Sequence, residues 1–430
     1  MKLPPRSQEY LRNNDLDAKN FFDRPGPIPG YKRNQYGGSI GGPIRKNKTF
    51  YFGNFEQARI RQGITKVATE PTTAMKNGDF SALPVIIYDP TSLHAGANGA
   101  LVHNPFAGNV IPSADISPVG RAVLGLYPAP NGTGTSPANG LYTSSPTKVD
   151  DFDQFTVRVD HRFNDNNTLF GRYSYSKENR FDTFDSFCAG SNNLPGFGCN
   201  TLNGGQQAVA DYIRLLGPTK VNEARVSFTR VRGGIFQQNE FNDVSTQLGI
   251  AGASRNSKDF GVPVITATGY DRVGEATNLP QDRHDNTYEY ADSLSWTKGR
   301  HTMKFGVEIR HFQEAFLFDS SARGTINFTP FYTAQVSTTS AGVVNAVNNT
   351  GNAIADLLLG LPDTSSVSRS FAGINANTVA GLRQTSTNLF AQDDFRVLPN
   401  LTLNLGLRWE YNAPTTDKYD HLATFRSELP

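Results

Sequence analysis

Apolar and polar residues alternate with a period of two along several long segments of the chain. The first clear segment has its apolar positions at Phe155, Val157, Val159 and Phe163, with Thr, Arg and Asp on the alternate positions. Successive side chains of a β-strand point to opposite faces, so this spacing predicts a strand with one apolar face. The same alternation recurs at about 169–176, 224–229, 288–296, 303–310 and 401–411.

Connections of two very different lengths separate these predicted strands. Short turns rich in Asn, Asp, Gly and Pro are predicted at Arg45–Lys48, Asn164–Asn167, Gly217–Lys220, Lys298–Arg300 and Leu398–Asn400. Long polar loops are predicted at about 61–152, 178–208, 233–285 and 314–385. Strands of roughly nine to eleven residues, joined alternately by short turns and long loops, are typical of an antiparallel transmembrane β-barrel.

A soluble β-sandwich would show the same alternation, so the loops and the polar face must distinguish the two folds. Loops of this length after every second strand are uncommon in compact soluble sheets. The polar face of 303–310 carries Lys304, Glu308 and Arg310, and at the lipid midplane each Arg or Lys would cost about 2–4 kcal/mol. We therefore predict an all-β membrane barrel with apolar residues toward lipid and charges toward a wet lumen.

Composition favours β-structure and argues against other classes of protein. The chain has 29 Phe and 16 Tyr against 2 Trp and 3 Met, and aromatic residues favour strands. A net charge of +2 lacks the concentrated basic excess of a nucleic-acid-binding protein. The most apolar segments, Pro84–Tyr88 and Ala353–Leu361, are far shorter than the roughly 18 residues of a membrane helix, and Asp356 interrupts the second. Met1–Arg6 has no apolar stretch behind its charges, so we do not expect a signal peptide there.

The two cysteines, Cys188 and Cys199, lie close together in a predicted loop. Their spacing matches neither a CxxC redox motif nor a zinc site, and no histidine lies nearby. A disulfide that closes the loop is favoured over two free thiols. Such a bond would imply an oxidising compartment.

No motif indicates catalysis, a metal or a cofactor. Gly37–Gly42 lacks the Lys-Ser/Thr ending of a phosphate loop, so its glycines are interpreted as strand glycines. Clustered carboxylates precede one strand and lie within another, at Asp150, Asp151, Asp153, Asp393 and Asp394. EF-hand spacing is absent from both clusters, and charges at the barrel rim or lumen are favoured over a calcium or acid–base site. His161, His301 and His311 are scattered over strands. We therefore expect no enzyme.

Aromatic residues on the predicted strands could stack on sugars or face lipid. They are Tyr288, Tyr290, Trp296, Trp409 and Tyr411. Amphipathic rings favour headgroup depth, so a lipid-facing girdle is the preferred interpretation.

Several motifs, in the expected order, resemble those of TonB-dependent outer-membrane transporters of the Oar-like branch. The strand pair Gln392–Val397 and Asn400–Tyr411 is similar to one common in these proteins, and Tyr10–Phe22 looks like the first barrel strand and its exit. Further similar motifs are Arg33–Ile44, Lys48–Phe52, Gly78–Ser81, Asn109–Pro112 and Tyr127–Asn131. The likeness runs from about residue 8 to about residue 420.

The resemblance implies a closed barrel of about 22 strands with a plugged lumen. We count about 11 strands here, so we expect residues 1–430 to be part of such a barrel, without the plug domain or the C-terminal half, and with the natural start upstream of Met1. The family binds a scarce extracellular ligand and imports it into the periplasm with energy from TonB.

Several partners and candidate residues follow from this resemblance. Expected partners are outer-membrane lipid of a Gram-negative-type bacterium, the TonB complex through the missing N-terminal region, and a small-molecule, peptide or carbohydrate ligand, but no nucleic acid. Ligand contacts are expected in the long loops, which the resemblance implies capture the ligand, and among the lumen-facing residues Arg158, Arg172, Arg225, Lys304 and Arg310. The alternative is a non-transporting surface or adhesion barrel that binds carbohydrate or another cell.

Overall fold

A single large antiparallel sheet dominates the computed structural model, which describes residues 3–18, 28–97, 99–134, 139–184, 192–251, 257–318, 323–338, 344–363, 379–420 and 422. Eleven long strands pair in sequence order. They are β1 (Leu3–Asn13), β2 (Tyr31–Arg45), β3 (Thr49–Gly63), β4 (Thr147–Asn164), β5 (Asn167–Asp182), β6 (Cys199–Leu215), β7 (Lys220–Gln237), β8 (Gln281–Lys298), β9 (His301–Phe318), β10 (Val379–Leu398) and β11 (Leu401–Asn412). A two-residue strand, Thr416–Asp417, also pairs with β10. Within the described residues β1 and β11 are the sheet edges and do not pair with each other.

All five short turns lie where the sequence predicts them. They join β2 to β3, β4 to β5, β6 to β7, β8 to β9 and β10 to β11, so all five lie at the same end of the sheet. Asn47, Gly217 and Gly299 have φ values of 59°, 82° and 60°. Gly, and less often Asn, adopt this left-handed conformation readily, which explains why the turns form at these positions.

The strands are longer than predicted, and this corrects several boundaries. β2 to β10 have 15 to 20 residues, because backbone pairing continues beyond the apolar band into segments that are polar on both faces. Asp150, Asp151 and Asp153 therefore lie inside β4 rather than before it. The long loops shorten to 64–146, 183–198, 238–280 and 319–378. The first strand ends at Asn13, and a short 3-10 helix, Asn14–Leu16, forms the start of its exit.

The strand register confirms the two faces. One row across the sheet contains apolar or small residues, namely Val159, Gly171, Ala210, Val226, Tyr290 and Ile309. Most residues one position along each strand are polar, as in the pair Asp211 and Arg225. The apolar side chains are exposed, with Val226 49% and Leu407 77% accessible. A surface of this kind is stable only against an apolar medium.

The hydrophobic core lies in the long loops rather than in the sheet. Its fully or nearly fully buried residues include Met75, Phe80, Ile87, Leu194, Ile265, Ile354, Leu357 and Leu358. The loops also form helices α1 (Thr73–Lys76), α2 (Pro118–Leu124), α3 (Val244–Gln247) and α4 (Ala353–Leu359), with 3-10 turns at Ala107–Asn109 and Ser257–Asp259. We call the described residues of the loops within 64–146, 192–198, 238–280 and 323–363 the loop cap.

Short strands complete the loop cap. They are Lys66–Glu70, His94–Ala95, Leu101–Val102, Gly132–Thr133, Gly140–Ser144, Val264–Ala267, Thr325–Phe328, Val336–Thr338 and Val344–Ala346. Val264–Ala267 pairs in parallel with Thr325–Phe328, which joins the third loop to the fourth. Among the helices of the described residues, none is long and apolar enough to cross a membrane.

Local sequence explains the helix at the centre of the loop cap. The Asn352 side chain accepts a hydrogen bond from the Ile354 N–H and caps the N-terminus of α4, and Gly360 ends the helix with φ of 72°. The apolar residues between them become core. The apolar segment Ala353–Leu361 is therefore a buried loop helix.

Candidate functional site

The five basic residues predicted to line a lumen share the polar face of the sheet. Arg158 and Arg172 lie opposite each other on β4 and β5. The same cross-strand row continues through Val209, Ser227 and Glu289 to Arg310 on β9. Arg225 lies in the adjacent row, and Lys304 lies further toward the short turns on β9. The sequence therefore predicted the face of each residue correctly.

Three of these arginines form ion pairs with carboxylates on the same face. Arg225 lies 2.7 Å from Asp211, whose side chain is 1% exposed, and 2.6 Å from Glu223. The other distances are 2.6 Å for Arg158–Asp160, 3.0 Å for Arg310–Glu308 and 3.5 Å for Arg310–Glu289. The polar face is thus a wall with paired charges, so a ligand carboxylate would have to compete with internal ones.

Arg172 and Lys304 differ from these three. Arg172 donates to the Gln207 side-chain oxygen at 2.6 Å. Lys304 makes no hydrogen bond or ion pair with any residue that the structure describes. Of the five candidates, Arg172 and Lys304 have no carboxylate partner within the described residues.

The predicted girdle residues lie on the apolar face. Tyr290 is opposite Ile309, Trp296 is opposite Met303, and the rings of Trp409 and Tyr411 stack 6.1 Å apart. The ammonium groups of Lys220 and Lys298 lie 4.6 Å and 5.3 Å from the Trp296 ring. A tryptophan next to two lysines beside the short turns has the composition of a membrane-interface anchor.

The clustered carboxylates pair with basic side chains. Asp151 lies 2.6 Å from Arg61, Asp153 lies 2.6 Å from Arg59, and Asp393 lies 2.6 Å from His301. Within the described residues no group of three or more His, Cys, Asp or Glu could hold a metal ion. Cys199 is fully buried at the start of β6. Cys188 lies outside the described residues, so the predicted Cys188–Cys199 disulfide stays a prediction.

The loop cap is held together by hydrogen bonds between loops that are far apart in sequence. Asp271 of the third loop accepts from the Thr69 N–H at 2.6 Å and from Asn193 Nδ2 at 2.8 Å. Its main-chain carbonyl accepts from the Tyr127 hydroxyl at 2.9 Å. The fourth loop joins the first where the Ser117 N–H donates to the Leu358 carbonyl at 2.8 Å. The four loops therefore form one packed unit.

A fully buried carboxylate lies beside Asp271. Glu70 is 0% exposed, and its two carboxylate oxygens accept no hydrogen bond within the described residues. Burial raises the pKa of Glu70 to about 7; the nearby Lys76 opposes this shift and Asp271 adds to it. Burial lowers the pKa of Lys76, whose ammonium donates to the Tyr127 and Pro128 carbonyls at 2.9 Å and 2.6 Å.

Two other buried acids fasten turns of the loop cap. Asp356 in α4 accepts hydrogen bonds from the main-chain N–H groups of residues 331, 332 and 333 at 2.8 to 3.0 Å. Glu275 accepts from the N–H groups of Asn239 at 2.7 Å and Val262 at 3.0 Å. Burial raises the pKa of both carboxyl groups, against the lowering effect of these donors. Their role is to hold backbone, because each carboxylate is occupied by main-chain donors.

Sequence reasoning missed the loop cap. It treated the loops as polar connections because they show no regular period, although the apolar segments Pro84–Tyr88 and Ala353–Leu361 were a usable signal. Ile87 and Leu358 in these segments are fully buried. The candidate site therefore comprises the outer surface of the loop cap and the polar face of the sheet.

Comparison with known proteins agrees with this geometry. The model of the outer membrane beta barrel domain family matches residues 7–430. No curated protein sequence matches the chain significantly. Among solved structures, the chain is similar to the outer membrane transporter YddB from Escherichia coli, with 11% identity, a TM-score of 0.41, and coverage of 90% of this chain and 35% of that protein.

A second solved structure is similar at the same level. It is the ferric enterobactin receptor PfeA from Pseudomonas aeruginosa, with 12% identity, a TM-score of 0.37, and coverage of 89% of this chain and 37% of that protein. The chain thus spans little more than a third of the length of either protein. The family match covers nearly all of the sequence, and the chain belongs to the outer membrane beta barrel domain family and is located in the outer membrane.

Proposed function

We propose that the chain is part of an outer-membrane receptor that captures a scarce extracellular ligand on its loop cap for import into the periplasm. The import step would use energy from the TonB complex, as the resemblance to Oar-like transporters implies. That resemblance also implies a barrel of about 22 strands, to which this chain would contribute its eleven. The proposal assigns the chain no catalytic step.

The observation that carries this proposal is the packing of four long loops into one unit at a single end of the sheet. A connection that served only to join strands would need no core, and ordering its residues costs conformational entropy. Here the loops bury Phe80, Ile265 and Ile354 together. Binding residues are commonly placed on loops held by a rigid scaffold, and a folded cap offers a preformed surface at low entropic cost.

The paired charges of the polar face support a division of roles. A ligand that passes along this wall meets three arginines, Arg158, Arg225 and Arg310, that already pair with carboxylates. Capture would then belong to the loop cap, and passage to the polar face. Arg172 and Lys304 are the side chains on this wall that we expect to contact an anionic ligand.

A transport assay in cells that carry the natural gene tests the proposal. Deletion of the gene should abolish uptake of at least one component of a fluorescently labelled mixture of peptides and oligosaccharides, and a protonophore should abolish the same uptake in the parent strain. Surface binding that is lost on deletion, with no uptake that the protonophore stops, would favour the adhesion barrel instead.

Two matched variants locate capture on the loop cap. Ile354→Asn places an amide in the fully buried core, whereas Phe241→Asn changes a loop residue that is 62% exposed and has φ of 65°, where Asn is well tolerated. We expect Ile354→Asn to lose ligand binding at the cell surface and Phe241→Asn to retain it. Equal binding by both variants, at equal surface levels, would contradict capture by the loop cap.

A further inference from the structure

A trough runs along the apolar face of the sheet, centred on β6. Small residues form much of its floor: on this face β6 presents Gly204, Ala208 and Ala210, with Gln206 between Gly204 and Ala208. Lower down the trough is apolar, lined by residues that include Leu169, Ala224, Tyr290 and Ile309. Its upper part, nearer the loops, is lined by residues that include Tyr175, Lys177, Gly204, Arg230, Arg232 and His284. The trough therefore consists of two depressions that follow one another along β6, an apolar one nearer the short turns and a basic one nearer the loops.

We propose that this trough binds a single membrane lipid whose headgroup carries phosphate, with an acyl chain in the apolar part and the phosphate at the basic end. This site lies outside the barrel and is separate from the proposed capture of an extracellular ligand. Three observations support it: the charges, their depth relative to the aromatic rings, and the small residues between them.

The basic end has more positive than negative charge. Lys177 and Arg230 are exposed and have no carboxylate partner within the described residues. Arg230 donates instead to the Asn286 side chain at 2.7 Å. Arg232 and His284 share a single carboxylate, that of Asp282, at 3.3 Å each. The nearest other acid on this face, Asp153 opposite Lys177, is already paired with Arg59 at 2.6 Å.

The depth of these charges matches that of lipid headgroups. Arg230 lies two residues beyond Phe228 on β7, which is about 7 Å further along the strand. The Phe228 and Tyr288 rings contact each other with centroids 5.1 Å apart, and Tyr175 stacks on Phe155 at 5.5 Å. Aromatic rings of this kind mark the membrane interface. Cations immediately beyond them lie at the level of lipid phosphates, where anionic headgroups attract basic side chains.

A small residue lies between the two depressions of the trough. Ala208 lies between Tyr173 on β5 and Phe228 on β7 in one cross-strand row, at the junction of the apolar and basic parts. A large side chain there would separate the two parts. The position thus offers a variant that changes the trough while leaving its charges intact.

The test uses the receptor expressed from the natural gene, purified in detergent and mixed with equal amounts of dimyristoylphosphatidic acid and dimyristoylphosphatidylcholine. Retained lipid is measured by native mass spectrometry. We expect one phosphatidic acid to be retained in preference to phosphatidylcholine. Removing both unpaired cations, in Lys177→Gln with Arg230→Gln, should weaken its binding by roughly fivefold per charge. Ala208→Trp should lower the retention of both lipids.

Arg383→Gln is the matched control. Arg383 lies on β10 in the same cross-strand row as Arg230, so it has the same depth and face but lies outside the trough. It should retain phosphatidic acid like the unchanged protein. If Arg383→Gln loses as much phosphatidic acid as the Lys177→Gln and Arg230→Gln variant, basic residues at the membrane interface attract the lipid in general. That result would overturn the proposal. Displacement of the lipid by inorganic phosphate alone, with no effect of Ala208→Trp, would reduce the site to an anion site and also overturn it.

Discussion

The Tyr127 hydroxyl donates a hydrogen bond of 2.9 Å to the main-chain carbonyl of Asp271, which lies 144 residues further along the chain. The Asp271 side chain accepts from Thr69 and Asn193, so this one residue of the third loop fastens both the first and the second loop. Burial raises the pKa of Tyr127, as do the neighbouring acids Glu70 and Asp271. The phenol therefore remains a donor throughout the physiological range.

Removing this hydroxyl should loosen the junction between the first and third loops. We expect Tyr127→Phe to lower the free energy of opening of the loop cap by about 1 kcal/mol, the usual net contribution of one hydrogen bond. Hydrogen exchange of amides in 64–146 and 238–280 would measure it. Tyr142→Phe is the control, because the Tyr142 hydroxyl makes no hydrogen bond within the described residues. If both variants lower the free energy of opening equally, the hydrogen bond from Tyr127 to Asp271 does not stabilise the loop cap.

Glu70 should make the loop cap less stable as the pH rises. Its pKa in the folded protein is about 7, against an ordinary value of 4.5, so between these values the folded state holds a proton that the unfolded state has released. The contribution of protonated Glu70 to the stability of the loop cap is therefore complete below about pH 4.5. It declines as the pH rises to about 7. A shift of one pKa unit corresponds to about 1.36 kcal/mol in the free energy of unfolding. Because the structure relaxes around the charge, we expect a total loss of roughly 2–3 kcal/mol.

Glu70→Gln should abolish this decline, because an amide does not titrate. Proteolysis of the loop cap at pH 5 and pH 8 would reveal the difference between the variant and the unchanged protein. Asp79→Asn is a suitable control: hydrogen bonds from Ser81 lower the pKa of Asp79, so it titrates below this window and its replacement should leave the decline intact. If stability still declines with pH in Glu70→Gln, another titrating group causes the decline.

Substitution of Asp356 should destabilise the loop cap more than most other substitutions there. Asp356→Ala leaves the main-chain N–H groups of Tyr332 and Thr333 without their acceptor. The Phe331 N–H keeps the Thr329 carbonyl at 2.7 Å. Each unsatisfied buried donor costs about 1–3 kcal/mol. We expect a loss of about 3 kcal/mol or more in the free energy of opening, measured by hydrogen exchange. Asp243→Ala removes only the exposed cap of α3 and should cost about 1 kcal/mol. Similar losses in the two variants would contradict the proposed role of Asp356.

Neighbouring residues on β7 test which face meets lipid. Val226 lies on the apolar face and Ser227 on the polar face. We expect Val226→Lys to cost about 2–4 kcal/mol in the free energy of folding into lipid vesicles, whereas Ser227→Lys, opposite Glu289, should change it little. A larger cost for Ser227→Lys would reverse the assignment of the two faces.

The turns and faces could be predicted because both are local properties. A turn such as Asn164–Asn167 depends on residues that tolerate its backbone angles. The face of Arg225 follows from its position relative to Val226, since the side-chain period of a strand is two. The ends of the strands could not be found this way. Asp150 and Asp153 continue β4 through backbone pairing, where neither face needs to be apolar.

The loop cap depended on contacts that no local pattern contains. Ile87, Leu194, Ile265 and Leu358 are buried together although they come from four different loops, and none of these loops has a strand or helix period long enough to reveal a buried face. Likewise, the sequence placed Arg225 and Arg310 in a lumen, but only the register brought Asp211 and Glu289 next to them.

The sequence by itself determined that this chain forms long antiparallel strands with one face for lipid and one for water, because alternation along a strand encodes burial one residue at a time. The tertiary structure decided what lies at the loop end and which charges remain unpaired. Those outcomes depend on residues tens to hundreds of positions apart, and burial in a shared core or pairing across strands becomes visible only when the chain has folded.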